Sequence, residues 1–158
     1  MKKTAIYPGT FDPVSNGHID IVKRAQKLFD EVLIAVAASD EKKPMFTLEM
    51  RVEMVKAAVK DIDNVKVGPF SNLMVDFASE KNIFTVIRGL RAVSDFEYEL
   101  QMGYANASLN NDIETIYLMP SLKNAFISSS VIRSIIKHNG DASHLYPKEI
   151  DAFIKGKV

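Results

Sequence analysis

Apolar and polar positions follow two alternating rhythms along the chain. Short, nearly continuous apolar runs predict strands. Thr4–Tyr7 is a short one closed by Pro8-Gly9, and Glu31–Ala37 (EVLIAVA) has no polar interruption, as in a strand covered on both faces. Asn64–Val67 is weaker, Ile83–Ile87 (IFTVI) is strong, and Thr115–Met119 stops at Pro120. Between these runs the apolar residues recur at helical spacing. Ile19, Val22, Ala25, Leu28 and Phe29 form one set; Leu48, Val52, Val55 and Val59 form another behind Thr47 as N-cap. Leu73, Met74, Phe77 and Ala78 suggest a short helix. Ser94-Asp95-Phe96-Glu97 reads as a capping box opening a helix to about Asn110. Val131, Ile132, Ile135 and Ile136 start a helix that ends near Gly140, and Pro147 starts a last one with Ile150, Phe153 and Ile154 inward.

Five strands alternating with helices predict an α/β fold: a Rossmann-like, doubly wound sheet of about five parallel strands, with helices on both faces. At 158 residues the chain fits one domain spanning residues 1–158. Its 47% apolar and 25% charged residues are those of a globular protein. Twenty basic side chains balance twenty acidic ones, so no global field is present to hold a nucleic-acid backbone. The absence of cysteine excludes disulfides, thiolate catalysis and Cys-ligated metals. The opening apolar run breaks at Pro8, too short for a signal-peptide core, and no stretch approaches a membrane span. A cytoplasmic location is the expectation.

A parallel sheet binds ligands beyond the carboxyl ends of its strands, so the loops that follow the strands carry the chemistry. The first reads Pro8-Gly9-Thr10-Phe11-Asp12-Pro13-Val14-Ser15-Asn16-Gly17-His18, a stiff path that puts Gly17-His18 in the first turn of a helix. Free amides and the helix dipole favour an anion there, and an imidazole can add a hydrogen bond. A lone histidine at such a place is more often a simple cap; the surrounding Gly and Thr favour function. The second loop, Ser39-Asp40-Glu41-Lys42-Lys43-Pro44, offers a lysine to a phosphate, and its pattern alone does not choose between Lys42 and Lys43. The fourth, Arg88-Gly89-Leu90-Arg91, presents two guanidinium forks that suit phosphate oxygens. Pairing with Asp95, Glu97 or Glu99 is compatible with that role and would orient them. After the fifth strand, Ile127-Ser128-Ser129-Ser130-Val131-Ile132-Arg133 feeds three serines into a helix start; capping needs one, and three make an anion nest.

No GxGxxG, no Walker A loop, no GxSxG elbow and no HExxH occurs, and His18, His138 and His144 lie far apart. A dedicated metal site is not expected. The constellation of His, Lys, two Arg and a Ser-rich helix start lacks an obvious nucleophile or paired carboxylates. It suits phosphate transfer by positioning and charge stabilisation.

The same residues carry a resemblance. Ser15-Asn16-Gly17-His18 resembles the His-x-Gly-His motif of the nucleotidyltransferase superfamily, with Ser at the first His position; Ile127–Arg133 resembles its ISSSxxR motif. With YPGTFDPVSNGH, KKPMFTLEMR, IRGLRAVSDFEYE and FISSS in order, the chain resembles the bacterial phosphopantetheine adenylyltransferase family end to end. That resemblance implies transfer of the adenylyl group of ATP to 4′-phosphopantetheine, giving dephospho-coenzyme A and pyrophosphate. It implies Thr10, His18, Lys42 and Arg91 as the catalytic residues, and Lys42 and Arg88 on the phosphopantetheine phosphate with Thr10 close by. Met74 would line the pantetheine arm. ATP would be held by Thr10, Phe11, His18, Gly89, Leu90, Arg91, Glu99, Asn124, Ala125, Phe126, Ile127, Ser128, Ser129 and Ser130. An aromatic residue is common in the family where this chain has Asn124, so adenine is expected to rest on backbone and apolar neighbours. The family implies Mg²⁺ carried by nucleotide phosphates and water, a homohexamer, and feedback inhibition by coenzyme A, with no nucleic-acid or membrane partner. Two rival readings are a sibling enzyme acting on nicotinamide mononucleotide or glycerol 3-phosphate, and an inactive nucleotide-binding module.

Overall fold

In a computed structural model, described for residues 1–39 and 43–156, the predicted alternation is realised. Five strands run β1 (Thr4–Gly9), β2 (Glu31–Ala37), β3 (Val65–Phe70), β4 (Thr85–Gly89) and β5 (Glu114–Leu118). Six α-helices intervene or follow: α1 (Asn16–Ala25), α2 (Leu48–Val59), α3 (Met74–Lys81), α4 (Val93–Leu109), α5 (Ser129–Lys137) and α6 (Asp151–Lys155). All strand pairs are parallel, in the order β3-β2-β1-β4-β5. The chain starts in the middle, builds outward to β3, then returns to the other side of β1. That reversal between β1 and β4 is the place where a doubly wound sheet opens a crevice.

Alternate residues of each strand serve opposite faces. Ala5, Tyr7, Val32, Ile34, Val36 and Ile87 join buried residues of α1, α2, α5 and α6 in one core. Ile6, Ala35 and Val86 join Val75, Phe77 and Ala78 of α3 in the other. Helices therefore cover both faces, as the unbroken apolar run of β2 predicts.

Several boundaries differ from the sequence reading. β1 continues through Pro8 and Gly9, because the ladder to β2 pairs Pro8 with Ala35 and Gly9 with Val36. α1 stops at Ala25, which leaves Leu28 exposed. Ser94 does not open α4: Ala92 is the N-cap and no side chain caps it. The last helix begins as a 3₁₀ turn over Lys148–Ile150. Thr47 does cap α2, its hydroxyl accepting from the Met50 amide at 3.2 Å.

Candidate active site

The loop after β1 is fixed from below and behind. Phe11 takes a left-handed conformation at φ 50°, unusual for a bulky residue. Its buried ring packs edge-on against Tyr7 and His18, at centroid distances of 5.3 and 4.8 Å. The Asp12 carboxylate accepts the amides of Met45 and Phe46 at 2.8 and 3.0 Å. Arg51, buried beneath, donates to the carbonyls of Thr10 and Ala37 at 2.7 Å each and of Phe46 at 3.1 Å. Arg133 donates to the Asp12 carbonyl at 2.7 Å. Three backbone segments are thus tied together by two arginines and one carboxylate.

At the start of α1 a capping box forms between Ser15 and His18. The His18 amide donates to Ser15 Oγ at 3.3 Å, and the Ser15 amide donates to His18 Nδ1 at 3.0 Å. An Nδ1 that accepts must carry its ring proton on Nε2. Burial, then the charges of Arg88 and Arg91, push the imidazole pKa down to about 3, so the ring is neutral at physiological pH. Histidine is here both the cap and a fixed Nε2–H donor on the cleft wall; the two sequence readings are not exclusive.

Arg88, at the end of β4, grips Glu99 of α4 with two N–H···O bonds, 2.9 Å from Nε and 2.6 Å from Nη2. Its Nη1 donates to the Pro8 carbonyl at 2.6 Å. Against the pull of burial, Glu99 raises the arginine's pKa. Arg91 donates to Asp95 at 3.0 Å and to the Ile127 carbonyl at 2.7 Å. Pairing with acidic residues of α4 orients both guanidinium groups. At the start of α5 the three serines have separate tasks. Ser128 caps the helix at the Val131 amide, Ser129 donates to the Pro13 carbonyl at 2.8 Å, and Ser130 Oγ accepts from Arg133 at 3.1 Å. What the nest leaves for an anion is chiefly the first-turn amides.

These elements enclose two clefts at the carboxyl edge of the sheet. The first, about 280 Å³, is polar and lies on the α1 and α5 side. It gathers Thr10, Phe11, His18, Arg88, Gly89, Arg91, Glu99 and Ile127–Ser130 of the predicted residues. The second, about 260 Å³, lies on the α3 and α4 side, with Met74, Phe70, Tyr98 and Met102 in its wall. Both clefts share Pro8, Gly9, Thr10, Arg88 and Glu99.

Four predicted nucleotide residues lie outside this lining. Leu90 extends the sheet, its amide bonded to the Leu118 carbonyl. Phe126 is exposed, and Ala125 closes a 3₁₀ turn. Asn124 directs its amide group to Asp20 at 3.1 Å and Ser121 at 3.3 Å. Lys42 falls outside the described residues. The sequence reading missed Tyr7 and Asp12 in the cleft wall and the supporting Arg51 and Asp20, whereas the expected pairing of an arginine with Asp95 is present. Arg133 closes the quoted ISSSxxR motif but had no role assigned. Asp20 accepts from the Ser121 amide and hydroxyl at 2.7 Å and holds the 121–124 turn. Burial would raise its pKa, but bonds from Ser121, Asn124 and Arg24 hold it well below the usual carboxylate range. Its place two residues past His18, about half a helical turn on, at most hinted at a helix surface residue.

A doubly wound parallel sheet with anion-ready helix starts around its switch point defines an α/β enzyme that handles phosphates. The family model of cytidylyltransferase-like proteins matches residues 6–135. A phosphopantetheine adenylyltransferase from Campylobacter curvus is 62% identical over 156 residues, covering 99% of this chain and all of the relative. One from Nautilia profundicola is 64% identical, covering 95% and 97% of the two chains. In fold, the chain is similar to the crystal structure of a Vibrio parahaemolyticus protein described as a nicotinate-nucleotide adenylyltransferase. The TM-score is 0.75 at 21% identity, over 98% of this chain and 99% of that one. The chain belongs to the cytidylyltransferase-like family and, within it, to the phosphopantetheine adenylyltransferases. It is a nucleotidyltransferase.

Proposed function

We propose that the protein transfers the adenylyl group of ATP to 4′-phosphopantetheine, releasing pyrophosphate and dephospho-coenzyme A. The observation that carries this reading is the meeting of two clefts of opposite character at Thr10 and Arg88. The polar cleft suits a nucleotide triphosphate. The cleft at Met74, Phe70 and Met102 suits a flexible, largely uncharged arm whose phosphate reaches back to Arg88. Identities above 60% to enzymes named for this reaction support the same acceptor.

The acceptor phosphate is an anionic nucleophile, so no strong base is needed. Its oxygen forms a bond to the ATP α-phosphorus in line, and the bond to the bridging oxygen of pyrophosphate breaks. No covalent enzyme intermediate arises. The obstacle is charge on a five-coordinate phosphorus. His18 Nε2–H supplies a neutral donor to a non-bridging oxygen, and its tautomer is set in advance by Ser15. Arg91 and the first-turn amides of α5 spread the negative charge of the triphosphate; Arg88, and Lys42 by family resemblance, neutralise the acceptor.

The carboxylates that line the polar cleft are committed elsewhere: Asp12 to backbone amides, Asp95 to Arg91, Glu99 to Arg88. Among the described residues no three potential ligands cluster for a metal. The donor set fits a Mg²⁺ that arrives on the nucleotide and keeps its waters. Coenzyme A shares both halves of the product, so it would compete for the two clefts, in keeping with feedback inhibition. A homohexamer is supported by α4, whose Phe96, Leu100 and Tyr104 stay exposed at one-turn spacing.

Pyrophosphate release from ATP tests the reading with three acceptors in parallel. Turnover is expected with phosphopantetheine and not with nicotinamide mononucleotide or glycerol 3-phosphate. Turnover with either of the latter alone would overturn the acceptor, and none with any would leave a binding module.

A further inference from the structure

Thirteen polar side chains line the first cleft, and all but two make a hydrogen bond to another described residue. The two exceptions are Thr10 and Tyr7. Thr10 is exposed and already placed at the reacting phosphates. Tyr7 is different: it belongs to the central strand β1 and is only 4% exposed. Its ring is packed edge-on against Phe11 and lies 6.4 Å from the His18 ring. A Cβ added at Gly89 would come within 3.9 Å of the phenol oxygen, which places the hydroxyl at the seam between β1 and β4. No side-chain oxygen among the described residues is both sealed from solvent and unpaired. The phenol oxygen therefore touches the open space of the cleft.

A hydroxyl in this setting does nothing for the fold that a hydrogen would not do better. Phenylalanine would fill the same core position, since the oxygen makes no bond to another described residue and reaches only the open cleft. The ring explains the aromatic character of the position; the fold leaves the oxygen unexplained. Its location, on the floor of the cleft beside His18, is where the nucleotide of the proposed reaction would sit. We propose that the Tyr7 hydroxyl is a further nucleotide contact, donating a hydrogen bond to the phosphate–ribose part of bound ATP from the floor of the cleft. This inference rests on the adenylyl-transfer reading. Burial holds the phenol protonated far above its ordinary range, so the donor is permanent through the working pH.

Tyr7→Phe removes the oxygen alone. The kcat/KM for ATP is expected to fall ~10- to 100-fold, the range for a neutral donor on a charged oxygen. The KM for phosphopantetheine should hold, and the loss should be constant from pH 6 to 9. Without ligand, the melting temperature should be equal to or above that of the wild type. Normal kinetics in the variant would overturn the contact, whether or not the melting temperature drops. Absence of pyrophosphate release by the wild type would overturn the underlying reaction as well, so the two failures are distinct.

Discussion

His18 shows how one side chain can serve the fold and, in the proposed reaction, the chemistry through different atoms. Nδ1 closes the capping box and Nε2 faces the cleft. His18→Ala is therefore expected to lose ~1 kcal/mol of stability with the cap and ~100- to 1,000-fold in kcat, the loss typical of one oriented donor at a developing oxyanion. Melting and steady-state kinetics on one preparation check both parts; a lowered melting temperature with near-normal kcat would leave only the cap. The depressed pKa has its own consequence. The native ring stays neutral down to about pH 3, whereas in the unfolded chain it takes up a proton from about pH 6.5 downward. Stability linked to His18 is thus complete above pH 6.5 and is lost on acidification, at up to ~1.4 kcal/mol per pH unit. The wild type should lose melting temperature more steeply between pH 6.5 and 5 than His18→Gln does. Parallel slopes would mean the ring titrates normally.

Elements place these residues through contacts that periodicity does not record. α4 is the clearest case: of its described side chains the buried one is Glu99, a carboxylate clamped on Arg88. The Tyr117 hydroxyl on β5 donates to the Glu99 carbonyl at 2.7 Å, passing where a side chain at position 103 would stand. A Cβ on Gly103 would lie 2.5 Å from that hydroxyl. In an unobstructed helix Gly→Ala gains about 1 kcal/mol; here Gly103→Ala should instead cost ~1–3 kcal/mol by overpacking. In a Tyr117→Phe background the obstacle is gone, and the same change should become neutral or stabilising. Urea denaturation of the wild type and the three variants measures the coupling, and an equal effect in both backgrounds would refute it. Legibility in the sequence followed the same line. β2 and the Thr47 cap were readable because each rests on neighbouring residues alone. The Ser94 capping box failed because α4 begins at Val93 with Ala92 as its N-cap, which puts Ser94 inside the first turn; the box that forms uses His18 as its reciprocal partner, outside the usual Glu or Gln pattern. Tyr7, Arg51 and Asp20 were invisible because their meaning lies in partners, or the lack of one, far along the chain.

On the scale of the whole molecule, the strand order puts the two clefts on opposite faces of one sheet and lets them meet at its switch point. In the proposed reaction, transfer between the two substrates then needs no domain closure to bring them together. The order also leaves β5 at an edge, beside a helix that buries little. Phe96, Leu100 and Tyr104 of α4 are 46%, 36% and 70% exposed. Tyr98 and Met102, half a turn away, face the arm cleft. Contiguous apolar side chains of this kind are uncommon on a monomer's surface and mark an interface. A second copy of the chain is the occupant that the proposed hexamer requires. Light scattering should give a mass six times that of the 17.6 kDa chain. A charge at the centre of the stripe, Leu100→Arg, should reduce that mass, because an unpaired cation buried between subunits is strongly unfavourable. Circular dichroism of the dissociated variant should retain the helix and strand signature, since Leu100 touches neither core. A wild-type protein that scatters as a monomer at micromolar concentration, or a Leu100→Arg variant that keeps the full hexamer mass, would remove α4 from the interface.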